Sequence, residues 1–76
     1  MKYPVVFETS STGFSAYVPD LPGCVATGGN LDETRELIAG AITMHLEGMR
    51  EDGDPIPEPS LVELVDVAGE NRLVVE

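Results

Sequence analysis

Residues 30–53 read NLDETRELIAGAITMHLEGMREDG, and this stretch predicts one long helix around which the rest of the fold is arranged. Asn30 is a favourable N-cap, and Glu33 follows at the spacing of a capping box. The positions that recur at three-and-four spacing form one largely apolar stripe, made of Leu31, Ile38, Ala41, Ile42, His45, Leu46 and Met49. Gly53 provides a left-handed stop, and the proline that soon follows it prevents continuation. We therefore expect a helix over residues 31–52 with one face buried.

The residues before this helix predict three strands. Residues 3–8 (YPVVFE) are rich in β-branched and aromatic side chains, and residues 9–13 (TSSTG) form a polar turn that ends in glycine. Residues 14–18 (FSAYV) alternate between apolar and more polar side chains, which is typical of a half-buried strand. A proline-rich loop at residues 19–23 then leads into a short third strand at residues 24–27 (CVAT). We therefore expect the sheet to precede the helix in the chain.

The alternation in the second and third strands predicts an open face of the sheet. Tyr17 points away from the side that holds Ala16 and Val18. Val25 shares the face of Tyr17 if Cys24 points toward the helix. Since one helix covers only one face, the second face is left wet or is paired. An open, partly apolar face on so small a domain indicates oligomerisation.

The residues after the helix predict a strap and further strands. Residues 54–59 (DPIPEP) have polyproline character and return the chain across the fold. Residues 61–68 (LVELVDVA) predict a fourth strand, with apolar side chains at both parities, so both of its faces should be covered in the assembled state. A turn at residues 69–71 leads to a short fifth strand at residues 72–75. The expected fold class is α+β: a small antiparallel sheet in the order β-β-β-α-β, with a fifth short strand and one helix on one face, forming a single domain over residues 1–76.

The composition excludes several classes of protein. Fourteen Asp and Glu stand against four Lys and Arg, giving a net charge of −10, which repels phosphate backbones and anionic membranes. The single cysteine, Cys24, excludes an internal disulfide and a zinc site of several thiolates. No apolar run approaches the roughly 20 residues that cross a bilayer, and the N-terminus lacks a secretory signal. We expect a cytosolic protein with no direct nucleic-acid or membrane binding.

Two segments together resemble the HicB antitoxin family. They are residues 17–24 (YVPDLPGC) and residues 53–60 (GDPIPEPS), and the similarity continues through residues 26–28 (ATG) and 45–48 (HLEG). It covers about residues 3–62. The resemblance implies an N-terminal HicB domain whose sheet is similar to part of the RNase H fold and which forms dimers or higher oligomers. It also implies that the partner is HicA, a small basic toxin that cleaves messenger RNA.

Typical members of that family continue into a C-terminal DNA-binding half of helix-turn-helix or ribbon-helix-helix type. Residues 61–76 predict strands instead, and Arg72 is their only basic residue. A DNA-reading element needs several Lys or Arg side chains for phosphate contacts. We therefore assign no DNA-binding role to this chain.

Two catalytic alternatives can be read from the sequence. Nucleases of RNase H shape hold metal ions with converging carboxylates, and the candidates here are Glu8, Asp20 and Glu47. Nothing in their spacing brings them together, and Asp20 is expected to cap its own loop. Cys24 and His45 are a candidate nucleophile and base, but a buried structural cysteine and a packed histidine explain them better. We assign no catalytic, cofactor-binding or metal-binding residue.

The resulting hypothesis is an interaction protein without chemistry of its own. It forms a homodimer or higher homo-oligomer and occludes a small basic ribonuclease toxin of the HicA type, which its acidic surface complements. The expected contact residues are Tyr17, Asp20, Leu21, Pro22, Gly23, Glu36 and Glu47. The alternatives are an orphan oligomeric module with another protein partner and a metal-dependent nuclease.

Overall fold

The computed structural model describes residues 1–68 and places three strands ahead of one helix. The strands are β1 (Val6–Ser10), β2 (Gly13–Tyr17) and β3 (Val25–Gly28), and the helix is α1 (Leu31–Asp52). The strands form one antiparallel sheet in the order β1-β2-β3, and α1 packs on one face against β2 and β3. The predicted fold class, α+β with one helix on a small antiparallel sheet, is confirmed. Within residues 1–68, α1 does not combine the length and apolar character that a bilayer crossing requires.

The β1–β2 hairpin is tighter than the sequence predicts. Strand β1 continues through residues 9–10, which we expected in the turn, and the turn itself consists of residues 11–12. Gly13 opens β2 because a side chain at this position would collide with the carbonyl oxygen of Gly28. The glycine is therefore needed for the close approach of two backbones at the end of the sheet.

The core lies between the sheet and the inner face of α1. Its fully buried members are Ala16, Val18, Leu21, Cys24 and Ile38, and partly buried residues pack around them, including Phe7, Ala26, Ile42, Leu46 and Met49. The predicted alternation is confirmed, because Ala16 and Val18 are buried whereas Tyr17 and Val25 are exposed. One apolar stripe of the helix thus covers one face of the sheet.

Both predicted ends of the helix are confirmed. The Glu33 N–H donates to Asn30 Oδ1 (2.8 Å), and the Glu33 carboxylate accepts from the Gly29 N–H (2.7 Å). The reciprocal bond therefore goes to the residue before the N-cap, whereas the standard capping box closes on the N-cap N–H itself. At the other end, Gly53 adopts the left-handed conformation (φ 74°) and its N–H bonds back into the last turn.

The passage from β3 into α1 is closely packed. Thr34 is fully buried, and its Oγ1 donates to the Asn30 carbonyl oxygen (2.7 Å). A Cβ on Gly28 would stand 2.5 Å from Thr34 Oγ1, too close for any side chain without displacement. The glycine before the helix therefore has a packing reason.

The strap crosses the fold as predicted and is fastened at two points. The Tyr3 hydroxyl donates to the Pro57 carbonyl oxygen (2.5 Å). The Asp20 carboxylate accepts from the Ser60 N–H (2.9 Å) and from the Ser60 hydroxyl (2.5 Å). The first bond joins the strap to the segment that precedes β1. The other two join Ser60, which follows the strap, to the loop between β2 and β3.

Our expectation that Asp20 caps its own loop is wrong. The loop satisfies its own backbone: the Leu21 N–H donates to the Val18 carbonyl oxygen (3.0 Å), and the Cys24 N–H donates to the Leu21 carbonyl oxygen (3.0 Å). The Asp20 side chain therefore remains available for Ser60, which is 40 positions away in the chain.

The predicted fourth strand is not formed within residues 1–68. Residues 61–67 make no strand pairing there, and the side chains of residues 61–68 are exposed. Apolar side chains at both parities require cover on both faces, and residues 1–60 do not supply it. The predicted turn at residues 69–71 and the fifth strand at residues 72–75 lie outside the described residues.

Candidate partner-binding site

An open groove runs between the free edge of β3 and the flank of α1. Because β3 is the last strand in the sheet order, its outer edge has no hydrogen-bonded neighbour within residues 1–68. The groove has a volume of about 450 Å³ and is lined by Val25, Ala26, Thr27, Glu36, Leu37, Gly40, Ala41 and Met44. It continues toward the β2–β3 loop, where Gly23, Cys24 and His45 line it. We call this feature the β3–α1 groove.

Two helix residues make the groove apolar, and the sequence analysis missed both. Leu37 and Met44 are seven positions apart, two helical turns, so they lie on the same side of α1. They stand beside the buried stripe and are 46% and 72% exposed. The sequence signal that could have identified them is a pair of apolar residues seven positions apart outside the main stripe. Such a pair is typical of a helix whose side is partly covered.

The apolar surface continues round the edge of the sheet onto its outer face. Tyr17 and Val25 are register partners on β2 and β3, and Val6 stands opposite Tyr17 on β1. Tyr17 is 40% exposed and Val25 is 62% exposed. A contiguous exposed apolar surface of this kind is typical of an interaction site.

A row of carboxylates flanks the groove on the outer side of α1. Its members are exposed and fall within about one third of the helix circumference: Glu33, Glu36, Glu47 and Glu51. We call this row the acidic helix face. An ion pair between Arg35 and Asp32 (2.8 Å) lies in the first turn of the same helix, and neither of its members belongs to the row. The helix therefore presents a negative side next to an apolar groove.

The structure brings some of the predicted contact residues together. Gly23 and Glu36 both line the groove, Gly23 in a left-handed conformation (φ 85°). Tyr17 stands beside the groove, across from Val25. Glu47 lies further along the same side of the helix as Glu36.

Of the three predicted contact residues that remain, Leu21 and Asp20 do not lie on the open surface, whereas Pro22 does. Leu21 is fully buried (0% exposed) in the core, so its side chain cannot touch a partner, and we remove it from the contact set. Asp20 is half-buried and engaged by Ser60. Two hydrogen bonds hold the pKa of Asp20 below its ordinary value. The bond from the Ser60 hydroxyl has the larger effect, and the bond from the Ser60 N–H has the next largest. Pro22 is exposed beside Gly23 at the tip of the loop.

The geometry does not favour the catalytic alternatives. Within residues 1–68, no three His, Cys, Asp or Glu side chains lie close enough to hold a metal ion, and Glu8, Asp20 and Glu47 belong to different elements. Cys24 and His45 line the same end of the groove. Burial raises the pKa of the Cys24 thiol, which disfavours the thiolate that a nucleophile requires.

The chain is similar to several known proteins. The family described as "HicB_like antitoxin of bacterial toxin-antitoxin system" matches residues 3–75. An uncharacterised 14.9 kDa protein in the rep-hol intergenic region of Haemophilus phage HP1 is 38% identical over 63 residues, which are 83% of this chain and 47% of that protein. The chain thus spans about half the length of that relative. A UPF0150 protein of Archaeoglobus fulgidus is 39% identical over 57 residues, 71% of this chain and 83% of that protein.

A solved structure is also similar. It is a chain of a HicA3 and HicB3 toxin-antitoxin complex, with a TM-score of 0.68 and 28% identity. The similarity covers 79% of this chain and 70% of that chain.

Proposed function

This chain belongs to the HicB-like antitoxins of bacterial toxin–antitoxin systems, and we propose that it acts by binding a small basic ribonuclease toxin of the HicA type and covering it. The observation that carries the proposal is the similarity to a chain of the HicA3 and HicB3 complex, over 79% of this chain at 28% identity. At that identity the likeness is one of sequence as well as of fold.

The charge of the surface supports a basic partner. A protein that cleaves RNA must approach a polyanion, so its working surface carries positive charge. The acidic helix face presents exposed carboxylates on a chain with a net charge of −10. Complementary potentials steer the two proteins together and accelerate their association. The same carboxylates compete with RNA phosphates for the basic side chains of the toxin.

The mode of inhibition we propose is occlusion. A standard interface hides about 800 Å² on each partner, which is enough to cover the active surface of a small enzyme. The acidic helix face supplies its polar part, and the exposed loop tip at Pro22 and Gly23 supplies a rigid protrusion at one end. No reactive group of this chain takes part in such a mechanism.

Charge reversal on the acidic helix face is the test. We expect the double variant Glu36→Lys and Glu47→Lys to weaken binding of the cognate toxin at least tenfold at low salt, because two attractive contacts become repulsive. The matched control is Glu8→Lys with Glu58→Lys, which changes the net charge equally at exposed sites away from the helix. The control should bind within about threefold of the parent.

The readout is copurification with the toxin, followed by titration calorimetry at two salt concentrations. Melting curves confirm that both double variants fold. Equal weakening in the two variants would show that only net charge matters, and no weakening in either would remove the acidic helix face from the interface.

A further inference from the structure

Residues 61–68 form an apolar arm that residues 1–60 leave uncovered. The exposed fraction of its large apolar side chains lies between 62% and 102%, for Leu61, Val62, Leu64, Val65 and Val67. Leu61, Val65 and Val67 would face one side of an extended strand, and Val62 and Leu64 the other. Such a stretch of strand-forming side chains is favourable in water only when both faces are covered. We call these residues the C-terminal arm.

The root of the arm is held in place. Two hydrogen bonds join Ser60 to Asp20, and the Tyr3 hydroxyl holds Pro57. The arm therefore starts at a defined point beside the β2–β3 loop, while its body pairs with no strand of the described chain. A fixed root with a free apolar body is suited to reaching a neighbouring molecule.

The β3–α1 groove provides a strand edge and apolar side chains on both sides of it, which the arm needs for cover. The free edge of β3 presents backbone donors and acceptors, and an added strand would pair with them. On the helix side of that edge lie Leu37 and Met44, and on the outer side lie Tyr17 and Val25. A strand at this edge needs apolar side chains at both parities, and the arm has them.

The other free edge of the sheet does not fit the arm. The exposed residues of β1 are Glu8, Thr9 and Ser10, which are polar. The eight-residue arm spans about 26 Å when extended, and the four residues of β3 span about 13 Å. One arm is therefore long enough to cover the whole edge of β3.

We propose that the C-terminal arm of one copy adds as a strand to the free edge of β3 in a second copy, filling its β3–α1 groove. Reciprocal exchange gives a closed twofold homodimer in which each groove is occupied. Three members of the acidic helix face, Glu33, Glu47 and Glu51, do not line the groove, so the proposal does not depend on the toxin. Because each copy carries a net charge of −10, added salt should strengthen the dimer, whereas it should weaken binding to a basic partner.

The first experiment measures the mass of the full chain by size-exclusion chromatography with light scattering. We expect a dimer at micromolar concentrations, and at least tenfold weaker dimerisation for Leu64→Asp in the arm and for Met44→Asp in the groove. The matched control is Ala39→Asp, an exposed site on another side of α1, which should remain a dimer. A monomeric parent chain, or a dimer indifferent to Met44→Asp, would overturn the proposal.

The second experiment tests exchange directly. Mixing the Leu64→Asp variant, which keeps its groove, with the Met44→Asp variant, which keeps its arm, should restore a heterodimer with one arm–groove contact. A chain with Met44→Cys and Val65→Cys should oxidise to a covalent dimer, while each single variant should not form this pair. Because Cys24 and Met44 line the same end of the groove, all of these variants are made with Cys24→Ala, so that only the introduced thiols can react. A fast-migrating monomer with an internal disulfide would show that the arm closes on its own groove and would contradict exchange.

The same variants separate the two proposals. If Met44→Asp leaves the mass unchanged but abolishes toxin binding, the groove belongs to the toxin and the exchange is wrong. If Glu47→Lys, which lies outside the groove, weakens toxin binding while the chain remains a dimer, both proposals stand. If no toxin binds and the dimer behaves as described, the exchange stands and the proposed function fails.

Discussion

Helix α1 and the C-terminal arm are both rich in apolar residues, yet only the helix is buried. Ile38 on α1 is 2% exposed, whereas Leu64 on the arm is fully exposed. The helix concentrates its apolar residues in one stripe, and one face of a three-stranded sheet is enough to cover it. The arm distributes its apolar residues over two faces, and residues 1–60 form no second layer that covers them. This difference is the basis of the proposed exchange of arms between two copies.

The largest difference in stability should come from placing the same charged side chain on the buried stripe of α1 and on the C-terminal arm. Ile38→Asp puts an unpaired carboxylate into the core and should cost about 3–5 kcal/mol, enough to unfold a small domain. Leu64→Asp introduces the same group at a site exposed to water and should change the free energy of unfolding of the monomer by less than about 0.5 kcal/mol. Urea denaturation at low protein concentration measures both. Similar losses in the two variants would mean that the arm is part of the core.

A smaller difference in stability should distinguish alanine substitutions at two glycines, Gly28 and Gly40. Gly28→Ala forces a Cβ against Thr34 Oγ1 and should destabilise the protein by about 1–3 kcal/mol. Gly40→Ala meets nothing within 4 Å and should be neutral or stabilising by up to about 1 kcal/mol, since alanine favours the helix. Thermal melts of the pair give the comparison. Equal melting temperatures would contradict the close packing of β3 against α1.

The smallest effect concerns the joint between the body and the arm, and it depends on pH. Bonding to Ser60 lowers the pKa of Asp20 in the folded protein, so its contribution to stability is present above the unfolded pKa and is lost as pH falls through the folded value. The stability difference between the parent and Asp20→Asn should therefore be positive near pH 6 and shrink below about pH 4. Ser60→Ala should abolish most of that pH dependence. A difference that grows as the pH falls would have the wrong sign for this joint.

Sequence signals that act within a few residues predicted the helix correctly. Contacts between residues far apart in the chain were not predicted. The N-cap at Asn30 and the stop at Gly53 act within a few residues of the helix ends, and both ends agree with the structure. The Asp20–Ser60 contact joins residues 40 positions apart, and no local pattern carries that information. The groove depends on Leu37 and Met44 standing at the edge of a sheet whose strand order the sequence does not specify.

The arm shows a different reason for failure. Its pattern predicts a strand whose two faces are covered in the assembled state, and residues 61–67 make no strand pairing within residues 1–68. A propensity for strand describes what a segment forms once a partner edge exists. The burial of Leu21 could not be read from the loop sequence either, since it depends on packing in the core with Ile38 and its neighbours.

The most direct test of the account is to titrate RNA cleavage by the cognate toxin with the purified chain. We expect cleavage to fall linearly and to stop near one equivalent of chain per toxin, and the Glu36→Lys and Glu47→Lys double variant to require a large excess. The chain itself should neither bind nor cleave the RNA. Cleavage that continues at full rate in excess chain would contradict the claim that this protein works by covering a basic ribonuclease.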